Sequence, residues 1–392
     1  MKPILYTGIE LEEIINVLLS IFSSSKHYDN TTIFCPGGDY NEHIIQIKIS
    51  EKNEIRLIPS PKCDSNTLQR IKEKIRTDIY ECEPKIGRDI LFSSHIPLYG
   101  YFRYKDVFQI IPATTQAPRP EYMTWPQPIL LEFTYDKSNN GFIDIYRRNK
   151  NSCEIAWLLN LLLNADISSR EYLVSKQWVR CDGEVVSRLC NTEYVFEDFK
   201  RTADTFSDTS AIEEIKLIDA REYYGRGQDV SEGLRGPKII NELLDIVYRL
   251  DKEQYNHLMT ACKFLSLSSK LWNSSQSMAY LAAISAIESI PKDSSYAICR
   301  ECGKPKNGPT KRFKDFLEKY GPKSSITNKI RDELYGLRSA ITHRGFLFER
   351  DSNPYTFIGS PKTSEQEKKG IALRQIVQIS LVRWLIDISK SK

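Results

Sequence analysis

Residues Tyr335 to Gly345 read YGLRSAITHRG, the close of an apolar-periodic run that begins near Ile326 and stops at a glycine. Arg338 and His343 stand five positions apart in it, among small and apolar neighbours. On an ideal helix five positions turn through about 500°, so the two side chains project about 140° apart and about 7.5 Å apart along the axis. One straight helix face cannot present both. They converge if the last turn loosens at His343, which Gly345 permits, or if a second copy of the helix supplies the partner groups across a two-fold axis. A structural reading also stands, in which Arg338 bridges Glu288 or Asp332 and His343 is favoured by the helix dipole ahead of a glycine cap.

The same helical period extends in both directions from this stretch. KIINELLDIVYRL, EQYNHLMTACKFLSLSSKLW, SQSMAYLAAISAIESI, KRFKDFLEKY, ITNKIRDELYGLRSAITH and SEQEKKGIALRQIVQISLVRWLIDIS all carry apolar residues three and four apart. Residues 235–392 are therefore expected to form an all-α bundle of four to six helices. A glycine-spaced polar stretch, YGRGQDVSEGLRGP (224–237), reads as a linker ahead of it. Its glycines lack the strand, helix and following Lys-Ser/Thr of a phosphate-cradling loop.

Residues 1–230 have a different pattern. HIIQIKIS, EIRLIPS, DILFSSH, VFQIIPA, ILLEFTYD and FIDIYRR alternate or run apolar with β-branched and aromatic residues and read as strands. ELEEIINVLLSIF, NTLQRIKEKIRTDI and CEIAWLLNLLLNA read as interspersed helices. The proline-bearing segment 111–128 is either a long loop or a break between two subdomains. The expected fold class is α+β, a strand-rich mixed N-terminal domain followed by the helical bundle.

At 392 residues, with 41% hydrophobic and 27% charged residues, the chain suits two or three globular domains. Its first twenty residues carry three glutamates and lack a signal-peptide pattern, and no stretch reaches the roughly 18–20 apolar residues that cross a bilayer. A cytoplasmic protein with no membrane association is expected. Nine scattered cysteines suit reduced thiols better than a disulfide framework.

The net charge of +4 conceals an asymmetry. From Arg235 onward there are 27 Lys and Arg against 16 Asp and Glu; the remainder holds 28 against 35. The densest strip runs from Arg300 to Arg331, with ten basic residues against Glu301, Asp315 and Glu318. Lys304, Lys306, Lys311, Arg312, Lys314 and, beyond the strip, Arg344 are the candidate RNA-backbone contacts, binding by counterion release. The interleaved Phe313, Phe316 and Tyr320 have the spacing of a packed helix face. Solvated helix faces give a similar charge count without any function.

The segment Arg338-Ser-Ala-Ile-Thr-His343-Arg-Gly follows LAAISAIESI with Glu288, and a Cys-x-x-Cys-Gly and RFKDFLEKY lie between them. In this order the residues resemble HEPN domains, in particular the Apea-like group, over roughly residues 235–392. The resemblance implies a helical bundle, commonly a homodimer, that cleaves RNA without metal, with Arg338 and His343 meeting in a cleft between protomers. It also implies a toxin or anti-phage, abortive-infection role, with tRNA or another cellular RNA as substrate. On that view residues 1–230 form a sensor or inhibitory domain that answers a phage-derived trigger or inhibitor. Ser339 stands where active members often carry Asn, Asp or His. Glu288 and Ser339 would support the Arg/His pair, and Tyr335, three positions before Arg338, either stacks on a base or packs in the core.

The chemistry fits those residue types. Cleavage through the ribose 2′-hydroxyl needs a group that exchanges protons near neutral pH, which imidazole does, and a fixed cation on the phosphate, which a guanidinium supplies. No cofactor is required for it. Cys299 and Cys302 resemble one knuckle of a structural zinc site, with His257 or Cys262 among the residues able to complete it. The alternative function is a non-catalytic HEPN-like module that binds RNA or a partner.

Overall fold

In the computed structural model the described residues are 4–6, 9–28, 31–36, 43–49, 54–93, 96–113, 119–120, 127–168, 177–182, 185–190, 199–226, 230–290, 309–323, 325–353 and 361–390. They form two compact units: residues 1–87, 133–151 and 202–206, and residues 88–132, 152–201 and 207–392. The change of sequence period near residue 235 and these units are two different divisions of the chain.

In the first unit β1 (Ile4–Tyr6), β2 (Ser24–Tyr28), β3 (Thr31–Cys35), β4 (Ile45–Ile49) and β5 (Ile55–Pro59) form an antiparallel sheet in the order β1-β5-β4-β3-β2. The alternation in HIIQIKIS and EIRLIPS sets its register: Ile45 faces Pro59 and Ile47 faces Leu57, and all four are buried. Two helices cover that face, α1 (Leu11–Leu19) and α2 (Ser65–Ile75), with Ile14, Val17, Leu18, Ile71 and Ile75 in one cluster with Phe34 and the inward strand residues. Asp64 caps α2 by accepting from the Thr67 N–H at 2.6 Å. A π-helical turn, Arg76–Tyr80, follows α2; Arg147 donates to the Ile79 carbonyl (3.0 Å) and pairs with Glu13 at 2.5 Å.

Two long strands, β6 (Glu83–Ser93) and β10 (Gln127–Lys137), and the helix α3 (Gly141–Leu162) each contribute residues to both units. The short strands β7 (Phe102–Tyr104), β8 (Phe108–Pro112), β11 (Ile167–Ser168) and β14 (Thr202–Ala203) join β6 and β10 in one sheet, ordered β11-β6-β10-β8-β7 with β14 also on β6. A separate sheet holds β9 (Arg119–Pro120) with the hairpin β12 (Gln177–Asp182) and β13 (Val185–Cys190). β15 (Leu217–Ile218) pairs in parallel with β16 (Gly236–Pro237), flanking α4 (Ala220–Arg226). FIDIYRR, expected as a strand, is instead the opening of α3. Asn140 starts the helix there, its Oδ1 accepting from the Phe142 N–H at 3.1 Å, and this local cap overrides the apolar run.

The helical region of the second unit matches the sequence period closely. Its helices are α5 (Ile240–Val247), α6 (Lys252–Leu271), α7 (Gln276–Glu288), α8 (Pro309–Tyr320), α9 (Ser325–Arg344), the single turn α10 (Glu349–Ser352) and α11 (Pro361–Lys390). α6 and α7 pack along each other, and α11 lies against α5, α6, α7 and α8. α7 is buried almost all round, from Ala279 and Tyr280 to Ala286 and Ile287, and its small residues let its neighbours approach closely. The mixed α and β composition agrees with the expected class, and no described helix is long and apolar enough to cross a membrane.

Candidate functional site around Arg338

α7 is fixed at its start and again midway before it presents Glu288. At its start the Asp351 carboxylate of α10 accepts from the Gln276 and Ser277 N–H groups at 2.9 and 2.6 Å and from the Ser275 hydroxyl at 3.1 Å. An anion on the first-turn donors of a helix is favoured by the helix dipole as well as by the bonds themselves. Midway, the buried Tyr280 hydroxyl donates to the Leu334 carbonyl of α9 at 3.0 Å, and burial pushes its ionisation well above the usual tyrosine range. α9 thereby sits against α7 one turn before the Arg/His stretch.

Tyr335, 6% exposed, packs its ring on Phe313 of α8 at a centroid distance of 5.2 Å. Such a buried ring is a platform and not a free stacking surface. The Arg338 guanidinium lies over it, 5.5 Å from the ring centroid, and its Nη2 is 3.6 Å from Glu288 Oε2. That distance makes an ion pair but not a hydrogen bond. Both side chains are about a quarter exposed, and Glu288 Oε1 is buried with no hydrogen-bond partner among the described residues. Among those residues no hydrogen bond engages the Arg338 guanidinium either. It is held in place, and none of the described residues takes up its N–H donors.

His343 lies in the last turn of α9 and is exposed. α9 stays helical through Arg344, and Gly345 then takes a positive φ of 63° while the Phe346 N–H reaches back to the Ala340 carbonyl at 3.2 Å. None of the described residues lies within 4 Å of where a Gly345 Cβ would be, and it is the backbone conformation that asks for glycine here. With the helix unbroken past His343, a loosened last turn does not bring His343 round to Arg338 within one chain. Ser339, half-buried, falls on the short arc between them.

Arg344 belongs to another face. With Glu333, Leu337 and Ala340 of α9, and with Glu365 and Lys369 of α11, it lines a cleft of about 750 Å³. Lys369 is paired there with Glu365 (2.9 Å) and Glu333 (3.5 Å). By helical angle this stripe is turned away from the arc of Arg338, Ser339 and His343.

Of the basic strip, Lys304 and Lys306 lie outside the described residues, as do Cys299 and Cys302. Lys311 is exposed on α8, Arg312 and Lys314 are half-buried, and Phe313 and Phe316 are in the core as their spacing indicated. Lys319 is paired with Asp387 of α11 at 3.0 Å, which pulls the Asp387 carboxyl below its usual range. Of the residues offered as completing ligands for zinc, His257 bonds through Nδ1 to the Ser289 carbonyl at 2.8 Å, and Cys262 is fully buried, with its thiol pushed up by desolvation. A zinc ligand is a thiolate, so burial of that kind opposes ligation by Cys262.

Sequence reading missed a polar cluster in the second unit, formed by Asn160, Asp166, Arg374, Gln375 and Gln378. Its members are up to about two hundred positions apart, and no local pattern signals them. Searches against family models, curated proteins and solved structures return no match for this chain.

Proposed function

We propose that the chain is a metal-independent endoribonuclease of HEPN type that works as a homodimer through its helical region, with Arg338 and His343 as its catalytic residues. The observation that carries this reading is the state of Arg338: a cation held by an aromatic ring and a carboxylate, with no hydrogen bond to its guanidinium among the described residues. A phosphodiester would take up those N–H donors in bidentate fashion. His343, at a solvent-exposed helix end, exchanges the proton of the 2′-hydroxyl or of the leaving 5′-oxygen, a role worth about 10²- to 10⁴-fold in rate. Because α9 is regular, the two groups meet only when two copies of the helix face each other. The substrate class is RNA, with tRNA as one candidate, and the biological setting is a toxin or anti-phage effector. Residues 1–230 are its regulatory part and the target of a phage-derived trigger. Lys311, Arg312, Lys314 and Arg344 steer the RNA backbone, with Lys304 and Lys306 as further contacts and Cys299 and Cys302 as a structural zinc knuckle.

A second reading draws on the Arg338–Glu288 ion pair itself: a non-catalytic module in which the pair is structural and RNA or a partner protein is only bound. Cleavage separates the two. Full-length protein incubated with total RNA and with tRNA in EDTA should release fragments ending in 2′,3′-cyclic phosphate, and Arg338→Ala and His343→Ala should each reduce the rate by at least 10²-fold. RNA left intact by wild type, or cut equally by all three proteins, contradicts the catalytic reading.

A further inference from the structure

The cavity missed by sequence reading lies wholly within the second unit, with a volume of about 390 Å³, inside the range of roughly 300–1,000 Å³ typical of small-molecule sites. Three of its amides are oriented by main-chain carbonyls. Asn160 Nδ2 donates to Ile167 (3.4 Å), Gln375 Nε2 to Tyr224 (2.9 Å) and Gln378 Nε2 to Leu161 (2.6 Å). Each amide thus uses one N–H on the protein, and among the described residues nothing donates to its oxygen. Two of these residues are deeply buried, Asn160 at 6% and Gln378 at 3% exposure, yet neither amide oxygen is sealed off from solvent.

Among the described residues the charges lining the cavity are Asp166 and Arg374, and they neutralise each other across 2.6 Å. Arg374 also donates to the Ser269 hydroxyl, while its Nε–H is buried with no partner among the described residues. An ionic ligand gains little from a wall with no net charge. Among the described residues no aromatic ring lines the cavity, so they give a planar base nothing to stack on. The site asks for groups that both donate to amide oxygens and accept from a guanidinium N–H, which is what a hydroxyl does.

We propose that this cavity is a binding site for a neutral polyhydroxylated molecule of monosaccharide or cyclitol size. Bound there, its hydroxyls bridge Gln375 and Gln378 of α11 to Asn160 of α3, with the Ile371 side chain, 58% exposed, at the rim. The proposal does not rest on the ribonuclease reading, since the cavity shares no residue with Arg338 or His343.

The test is ligand-observed NMR titration of the full chain with D-ribose, D-glucose and myo-inositol, beside adenosine and inorganic phosphate. Saturable binding of at least one of the three polyols is expected, with no binding of phosphate. Ile371→Trp, which fills the rim from an exposed position, should weaken that binding at least tenfold. Asn164→Gly should weaken it too: Asn164 lines the cavity at a φ of +42° that glycine adopts freely, so this variant keeps the backbone. Arg338→Ala should leave it unchanged. Absence of saturable binding by all three polyols, undiminished binding in both cavity variants, or binding of adenosine alone would overturn the proposal. Loss of binding in Arg338→Ala would overturn it as well, by moving the sugar to the proposed RNA site.

Discussion

Two arginine–carboxylate pairs in the second unit are built in opposite ways. Glu132 is 0% exposed, and its carboxylate accepts four hydrogen bonds of 2.7 Å, from Arg88 Nε, Gln109 Nε2 and the Ser207 N–H and hydroxyl. Every lone pair there has a donor. Glu288 and Arg338 stand 3.6 Å apart, and among the described residues one carboxylate oxygen is unpartnered and the guanidinium makes no hydrogen bond. A buried charge that serves the fold is saturated because an unmet one costs several kcal/mol. The loose pair is held by packing and leaves its polar capacity for something else.

Breaking the saturated centre should have the largest effect. Glu132→Ala strands Arg88 and Gln109 and should cost about 3–5 kcal/mol, read from the urea midpoint at constant slope. Asp351→Ala removes the acceptor at the start of α7 and should cost about 1–2 kcal/mol by the same measurement. Glu288→Gln should change stability by less than about 1 kcal/mol, since the pair is partly solvated and wider than a hydrogen bond. If Glu288→Gln proved as damaging as Glu132→Ala, the two centres would be alike and the contrast would fail.

The helices of residues 240–390 were legible because apolar residues recur there at three and four positions and a single face or a whole helix is buried, as in α7 and α11. FIDIYRR misled because four of its seven residues, Phe142, Ile143, Ile145 and Tyr146, suit a strand, and the decisive signal was one upstream residue, Asn140. β2, SSKHY, gave no signal at all, being polar and at the edge of its sheet. At the site, sequence named Glu288 as one of two partners for Arg338 and fixed the angle between Arg338 and His343. The platform made by Phe313 under Tyr335 and the capping of α7 by Asp351 depend on tertiary contacts that no spacing encodes.

Complementation between inactive variants tests the two-copy site most directly. Arg338→Ala and His343→Ala proteins, each unable to cut RNA alone, are unfolded together, refolded as a mixture and assayed on RNA in EDTA. If Arg338 of one protomer acts with His343 of its partner, random pairing makes half the dimers mixed and restores one of their two sites, so activity should return to about one quarter of wild type. A mixture as inert as either variant, beside active wild type refolded in the same way, would contradict the account.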